Sequence, residues 1–85
     1  MPTREQWGET VSEIVSRGGD AVDVAQAVAR VAPEDRADQY VAAAAFRDVC
    51  GLRVTQMTEV LRWLGGDLAD DELRALVPIG PKPQP

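Results

Sequence analysis

The feature that most limits what this chain can fold into is its punctuation. Helix breakers fall at Gly18-Gly19, Pro33, Gly51, Gly65-Gly66 and Pro78, and they cut the chain into five short segments and a tail. A glycine after a periodic run ends a helix by taking the left-handed conformation, and a proline both lacks the N–H and clashes with the preceding turn. Between the breakers, apolar residues recur at the helical period, and no segment shows strand alternation bounded by hairpin turns. The expectation is an all-α fold: a small bundle of four to five short helices over residues 1–77, followed by an extended Pro-rich C-terminal tail over residues 78–85.

Local signals place each helix. Thr3 with Gln6 fits the S/T-x-x-E/Q capping box, so a first helix is expected from Arg4 to Arg17. Its apolar stripe is Trp7, Val11, Ile14 and Val15, and Glu5, Glu9 and Glu13 line another face. Asp20 is a good N-cap for a second helix, whose stripe is Val24, Val28 and Val31. A third is expected over Pro33–Cys50, with proline as its first residue. Its small-residue centre, Ala42 to Ala45, permits a close crossing, so it reads as the central helix. The fourth begins at Val54 or Thr55 and carries Val54, Met57, Val60, Leu61 and Leu64 at helical spacing. The fifth is short, with Asp70, Asp71 and Glu72 in its first turn. Leu68 and Leu73 have the spacing of a hydrophobic staple if Ala69 is the N-cap. The expected core includes Val41, Ala45, Val49, Val60, Leu61 and Leu64.

What the chain lacks bounds its chemistry. It has no His, one Cys (Cys50) and one Lys (Lys82). Cys50 therefore has no His to activate it as a nucleophile, and it reads as a small buried hydrophobe. The pairs Asp20/Asp23 and Glu34/Asp35 occupy helix-cap positions, where no apolar pocket is in view to shift their proton affinity. Asp67, Asp70, Asp71 and Glu72 lack the alternating ligand order of an EF-hand and are explained as acids at a helix N-terminus. The expectation is a non-enzymatic chain with no cofactor and no metal.

Charge and composition narrow the partners. Net charge is −5 and the isoelectric point about 4.5, which disfavours non-specific binding to nucleic acid or an anionic membrane. No apolar run approaches the roughly 18 residues of a membrane span, and the first residues have no signal-peptide character. A cytoplasmic protein is expected. The basic residues are almost all Arg, Asn is absent, and Ala and Val abound, which suggests a GC-rich source such as an actinobacterium or its phage.

Two functional readings follow. The first is a small acidic protein–protein interaction module, whether adaptor, inhibitor or assembly component. Its expected contact residues are Trp63, which sits beside the apolar stripe of the fourth helix, and Pro78, Ile79, Pro81 and Pro83 of the tail. Exposed Trp is enriched at interface hot spots, and alternate prolines keep a segment extended. Self-association fits this reading as well. The second reading starts from residues 45–64. Gly51 stands where a turn is needed, Phe46 and Cys50 precede it, and Leu52, Met57 and Val60 follow at apolar offsets. This stretch of about 20 residues resembles the generic helix-turn-helix pattern of DNA-binding regulators. That resemblance implies outward-facing Arg53, Thr55, Gln56 and Arg62 as the DNA contacts. Arg47 departs from the pattern, because it stands where a small buried residue is wanted.

Overall fold

The computed structural model of the chain describes residues 3–31 and 35–79, and within them it is all helical. The helices are α1 (Arg4–Ser16), α2 (Ala21–Val31), α3 (Arg36–Cys50), α4 (Val54–Leu64) and α5 (Asp70–Leu76). No helix among the described residues is long and apolar enough to cross a membrane.

Each helix starts where a side chain can satisfy free backbone N–H groups. At α1 the expected box is complete: Thr3 Oγ1 accepts from the N–H of Gln6 at 3.2 Å, and Gln6 Oε1 accepts from the N–H of Thr3 at 2.8 Å. An all-aspartate version opens α2. There Asp20 Oδ1 accepts from the N–H of Asp23 at 3.0 Å, and Asp23 Oδ2 accepts from the N–H of Asp20 at 2.9 Å. Helix α3 starts later than the sequence suggests. Asp35 caps it through the N–H of Asp38 at 3.1 Å, so Arg36 is its first residue, and Pro33 lies outside the described residues. A short polar acceptor decides that boundary over proline's preference for the first helical position. At α4 and α5 the cap residues, Arg53 and Ala69, supply no side-chain acceptor. Only half of the box forms there, with Gln56 and Glu72 reaching back to the cap N–H.

Three helices end by one device. Gly18, Gly51 and Gly66 take positive φ of 84°, 66° and 85°. The residue after each donates back to a carbonyl one turn inside the helix: Gly19 to Ile14, Leu52 to Arg47 and Asp67 to Arg62, at 2.9–3.0 Å. Carbonyls that a helix end leaves free are thereby satisfied.

The helices pack unevenly. Contact between α1 and α3 is the most extensive, and α3 also packs along α4. Ala42, Ala43 and Ala45 are buried, so the α3 backbone comes close to its neighbours. Trp7 fills the space they leave, in a cluster with Val28, Ala42 and Ala45. The main cluster gathers around Phe46 and takes in Val11, Val22, Val24, Val60, Leu73 and Val77. Arg4 of α1 and Asp48 of α3 form an ion pair across the far edge of that packing. The indole N–H of Trp7, only 1% exposed, meets no acceptor among the described residues.

Helix α5 closes the core against α2 and α4. Leu68 and Leu73 are both buried in the main cluster and Ala69 is the N-cap, as the staple spacing predicts. Three polar links hold α5 in place. Arg74 Nε donates to Asp20 Oδ2 at 2.9 Å, Trp63 Nε1 donates to Asp70 Oδ1 at 2.7 Å, and Gln56 Nε2 donates to the carbonyl of Leu76 at 3.2 Å.

Several expected core residues are placed differently. Ala45 and Val60 are buried, and Val41, Leu61 and Leu64 are half-buried, but Val49 is 42% exposed. Val49 flanks α1 opposite Gly8, where a Cβ would stand 3.7 Å from its Cγ2, so no α1 side chain covers it. Val31 and Val54 are also exposed, because each is a terminal residue of its helix and reaches past its neighbour. Cys50, expected to be buried, is half-buried at the end of α3.

Candidate protein-interaction surface

Helices α1 and α2 are joined by the Gly18-Gly19 turn, yet they touch at few points. The reason lies in which faces each one buries. Helix α1 commits Trp7 and Val11 inward, and α2 commits Ala21, Val22, Val24, Ala25 and Val28. Most of these residues point into the core, and the two stripes meet where Trp7 and Val28 share a cluster. An open groove of about 590 Å³ remains between the two helices. Its floor includes half-buried Ile14 and Ala27 and backbone at Gly18 and Gly19. Its rim carries two acids, Glu13 and Asp23, and two bases, Arg17 and Arg30, with Val31 exposed at one end.

The rim charges differ in how far they are committed. Glu13 and Arg17 lie 3.7 Å apart on the same helix and are both largely exposed, so the pair is worth little. One Asp23 oxygen is held by the N–H of Asp20. Arg30 makes no ion pair or hydrogen bond among the described residues. Beside the groove, burial acts to raise the Asp20 carboxyl. It is outweighed by the N–H of Asp23, the Arg74 guanidinium and the N–H of Val22, which hold this carboxyl below its ordinary value.

Of the DNA-contact candidates, Arg53, Thr55 and Arg62 are exposed and Gln56 is half-buried. Arg53, Thr55 and Gln56 line a smaller recess of about 270 Å³ that Leu76 of α5 walls on its other side. Gln56 is occupied at both ends of its amide, by the N–H of Arg53 and the carbonyl of Leu76. Arg62 is paired with Glu59 at 2.8 Å. The packing around the turn fits the sequence pattern, since Phe46, Leu52, Met57 and Val60 are all buried and Gly51 is left-handed. The direction of the helices does not. The Arg36 guanidinium lies 3.4 Å from where a Cβ on Gly65 would stand, so the start of α3 adjoins the end of α4. Helices of these lengths, diverging at the 90–120° of a helix-turn-helix, would hold those points about 20 Å or more apart, beyond the reach of one arginine. Helices α3 and α4 form a nearly antiparallel pair. Arg47 is exposed, so its mismatch to the pattern costs the fold nothing.

Trp63 is half-buried against the main cluster, with its N–H held by Asp70, so it covers a helix crossing and shows only part of its ring. Pro78 is exposed. Ile79 turns back, its N–H bonded to the carbonyl of Val77 at 2.9 Å and its side chain packed on the core. The chain therefore does not leave the bundle at Pro78, as the sequence suggests. Pro81 and Pro83 lie outside the described residues. Burial pushes the Cys50 thiol up, toward its protonated form. Asp70, Asp71 and Glu72 sit in the first turn of α5, and no group of three or more metal-ligating side chains is assembled among the described residues.

The groove escaped sequence reasoning because Glu13, Arg17, Asp23 and Arg30 are ordinary solvent-face residues of two separate helices. Compared with protein-family models, with curated proteins and with solved structures, the chain matches none of them.

Proposed function

We propose that this chain is a non-enzymatic protein-interaction module, acting as an adaptor, inhibitor or assembly component, and that the α1–α2 groove is its principal binding surface. The observation that carries the reading is the rim of that groove. It combines side chains of both charge signs with apolar Ile14, Ala27 and Val31, the mixture that a polypeptide surface offers in return. A polyanion would find Glu13 and Asp23 among its contacts and a net charge of −5 behind them. Trp63 and Pro78 supply a second, smaller edge on the α4–α5 side. A cytoplasmic location and a GC-rich source belong to the same proposal.

The alternative is a DNA-binding regulator, favoured by the buried Phe46, Leu52, Met57 and Val60 around left-handed Gly51. Against it stand the closed α3–α4 pair, the internal bonds of Gln56 and the pairing of Arg62. The test is capture of partners from the source cell on the tagged chain, compared with an Arg30→Glu, Gln26→Glu variant and with Trp63→Ala, alongside duplex-DNA binding at physiological salt. We expect the groove variant to lose partners that the wild type retains while keeping its helicity, and no duplex binding. Sub-micromolar, sequence-dependent DNA binding that falls on replacing Arg53 and Arg62 would overturn this reading in favour of the alternative.

A further inference from the structure

We infer that the exposed face of α2 pairs with the same face of a second copy of this chain, in an antiparallel two-fold contact centred on Gln26 and Ala27. This rests on reading the α1–α2 groove as a binding surface, and it names the occupant.

The argument is one of self-complementary charge. Helix α2 turns five residues into the core and leaves Asp23, Gln26, Arg30 and Val31 exposed, with Ala27 half-buried between them. Asp23 and Arg30 are seven residues apart, so they lie within about 20° of one azimuth and about 10.5 Å apart along the axis. An acid marks one end of the stripe and a base the other, with Gln26 and Ala27 midway. A two-fold contact is isologous: whatever residue meets a second residue is met by it in turn. Antiparallel pairing about the midpoint therefore brings Asp23 of one copy to Arg30 of the other, twice. Parallel pairing would set like charges together.

Every other feature of the stripe is compatible with that contact. Ala27 at the crossing point lets the two helices approach closely. Gln26 beside it can donate to and accept from its own symmetry mate. Val31 is 56% exposed and lies against the groove, where a partner would cover it. Arg30 has no ion pair or hydrogen bond among the described residues, and Asp23 uses only one of its two oxygens in the α2 cap. From α1, the charges facing the stripe are Glu13 and Arg17, which already pair and bring no net charge. The net charge of −5 per chain opposes association. Screening over about 8 Å at physiological salt leaves that repulsion weak beside direct contacts.

The test is sedimentation velocity on the purified full chain over a concentration series, with amide chemical shifts followed over the same series. The expected result is a concentration-dependent dimer whose formation shifts residues 23–31 and leaves α3 and α4 unmoved. Arg30→Glu, which makes the stripe wholly acidic, should weaken dimerisation at least tenfold. Asp23→Lys, which makes it wholly basic, should do the same. An equimolar mixture of the two variants should restore a dimer that neither forms alone, a result that loss of folding cannot imitate. Should circular dichroism show Asp23→Lys to be unfolded, the Arg30→Glu result and the shift map decide. A wild type that stays monomeric throughout would overturn the inference, as would a dimer indifferent to Arg30→Glu. Neither outcome touches the capture experiment above, in which the groove would then hold a different polypeptide.

Discussion

Helix α1 has two neighbours and treats them oppositely. On one side it closes tightly on α3, from which it is separated in sequence by a whole helix. On the other it barely touches α2, to which it is joined by two glycines. The closed side combines one large residue with several small ones: Trp7 occupies the space that Ala42 and Ala45 leave. The open side has polar residues where an apolar layer would be needed. Proximity along the chain thus brings α1 and α2 together, and apolar area, at about 25 cal/mol per Å², determines that α1 packs on α3. The side of α1 that stays open is the side on which the proposed binding surface lies.

The strongest way to break this contrast is to remove what fills the closed side. Phe46 is fully buried where α3 meets the main cluster. Phe46→Ala should cost about 3–5 kcal/mol, enough to unfold most of a domain this small, as urea titration followed by circular dichroism would show. Retention of the wild-type midpoint would mean that α3 is not central.

A sharper comparison makes the same substitution on both sides. Ala45, 2% exposed, faces Trp7, whereas Ala27 is half-buried beside the groove. Ala45→Leu should cost about 1–3 kcal/mol through overpacking. Ala27→Leu should change stability by less than about 0.5 kcal/mol, measured at protein concentrations too low for self-association. Equal costs at the two sites would remove the distinction between the closed and open sides of α1.

The comparison also explains what could be read before the fold was known. Helix ends were legible because they depend on local chemistry: Thr3 with Gln6, Asp20, Ala69 after Leu68, and the glycines at 18, 51 and 66 all act within one turn. Apolar spacing picked out Trp7, Val11 and Val60 because one helix suffices to define a stripe. Val49, Val31 and Val54 misled because exposure at the edge of a stripe depends on which neighbour stands opposite, and Gly8 cannot be recognised as Val49's neighbour from spacing. The helix-turn-helix resemblance captured the turn and its apolar contacts, which are local. It could not capture the angle between α3 and α4, which Arg36 and Gly65 reveal. The groove depends on two helices failing to meet, and no single segment records that.

Asp20 tests the hinge between the two sides, since it caps α2 and holds α5 through Arg74. Asp20→Ala should cost about 1 kcal/mol through the lost cap alone, and more with the released Arg74. Acid should act in the same direction. The folded carboxyl is held below its ordinary value of 3.8, so the unfolded chain binds this proton more readily than the folded one. The stabilisation is present at neutral pH, begins to fall as the pH drops toward 3.8, and is lost as it passes below the folded value. In Asp20→Asn, where the group no longer titrates, stability should vary less with pH across that acid range. An identical acid profile in wild type and Asp20→Asn would assign the acid sensitivity to other carboxylates.

The smallest effect is expected at the groove rim, and its smallness is the point. Arg30 lies in the last turn of α2, where a cation is favoured by the helix dipole, and it is exposed with no partner among the described residues. Arg30→Glu places an anion there instead, at a cost of roughly 0.5 kcal/mol at low ionic strength and less as salt screens the dipole. Thermal melts at two salt concentrations would show a small difference that narrows with salt. A loss several times larger would mean that Arg30 supports the fold, and the open side of α1 would then be a structural seam rather than a surface reserved for a partner. With folding nearly unchanged, any failure of this variant to associate is a failure of recognition, which makes Arg30 the position at which binding and stability can be separated.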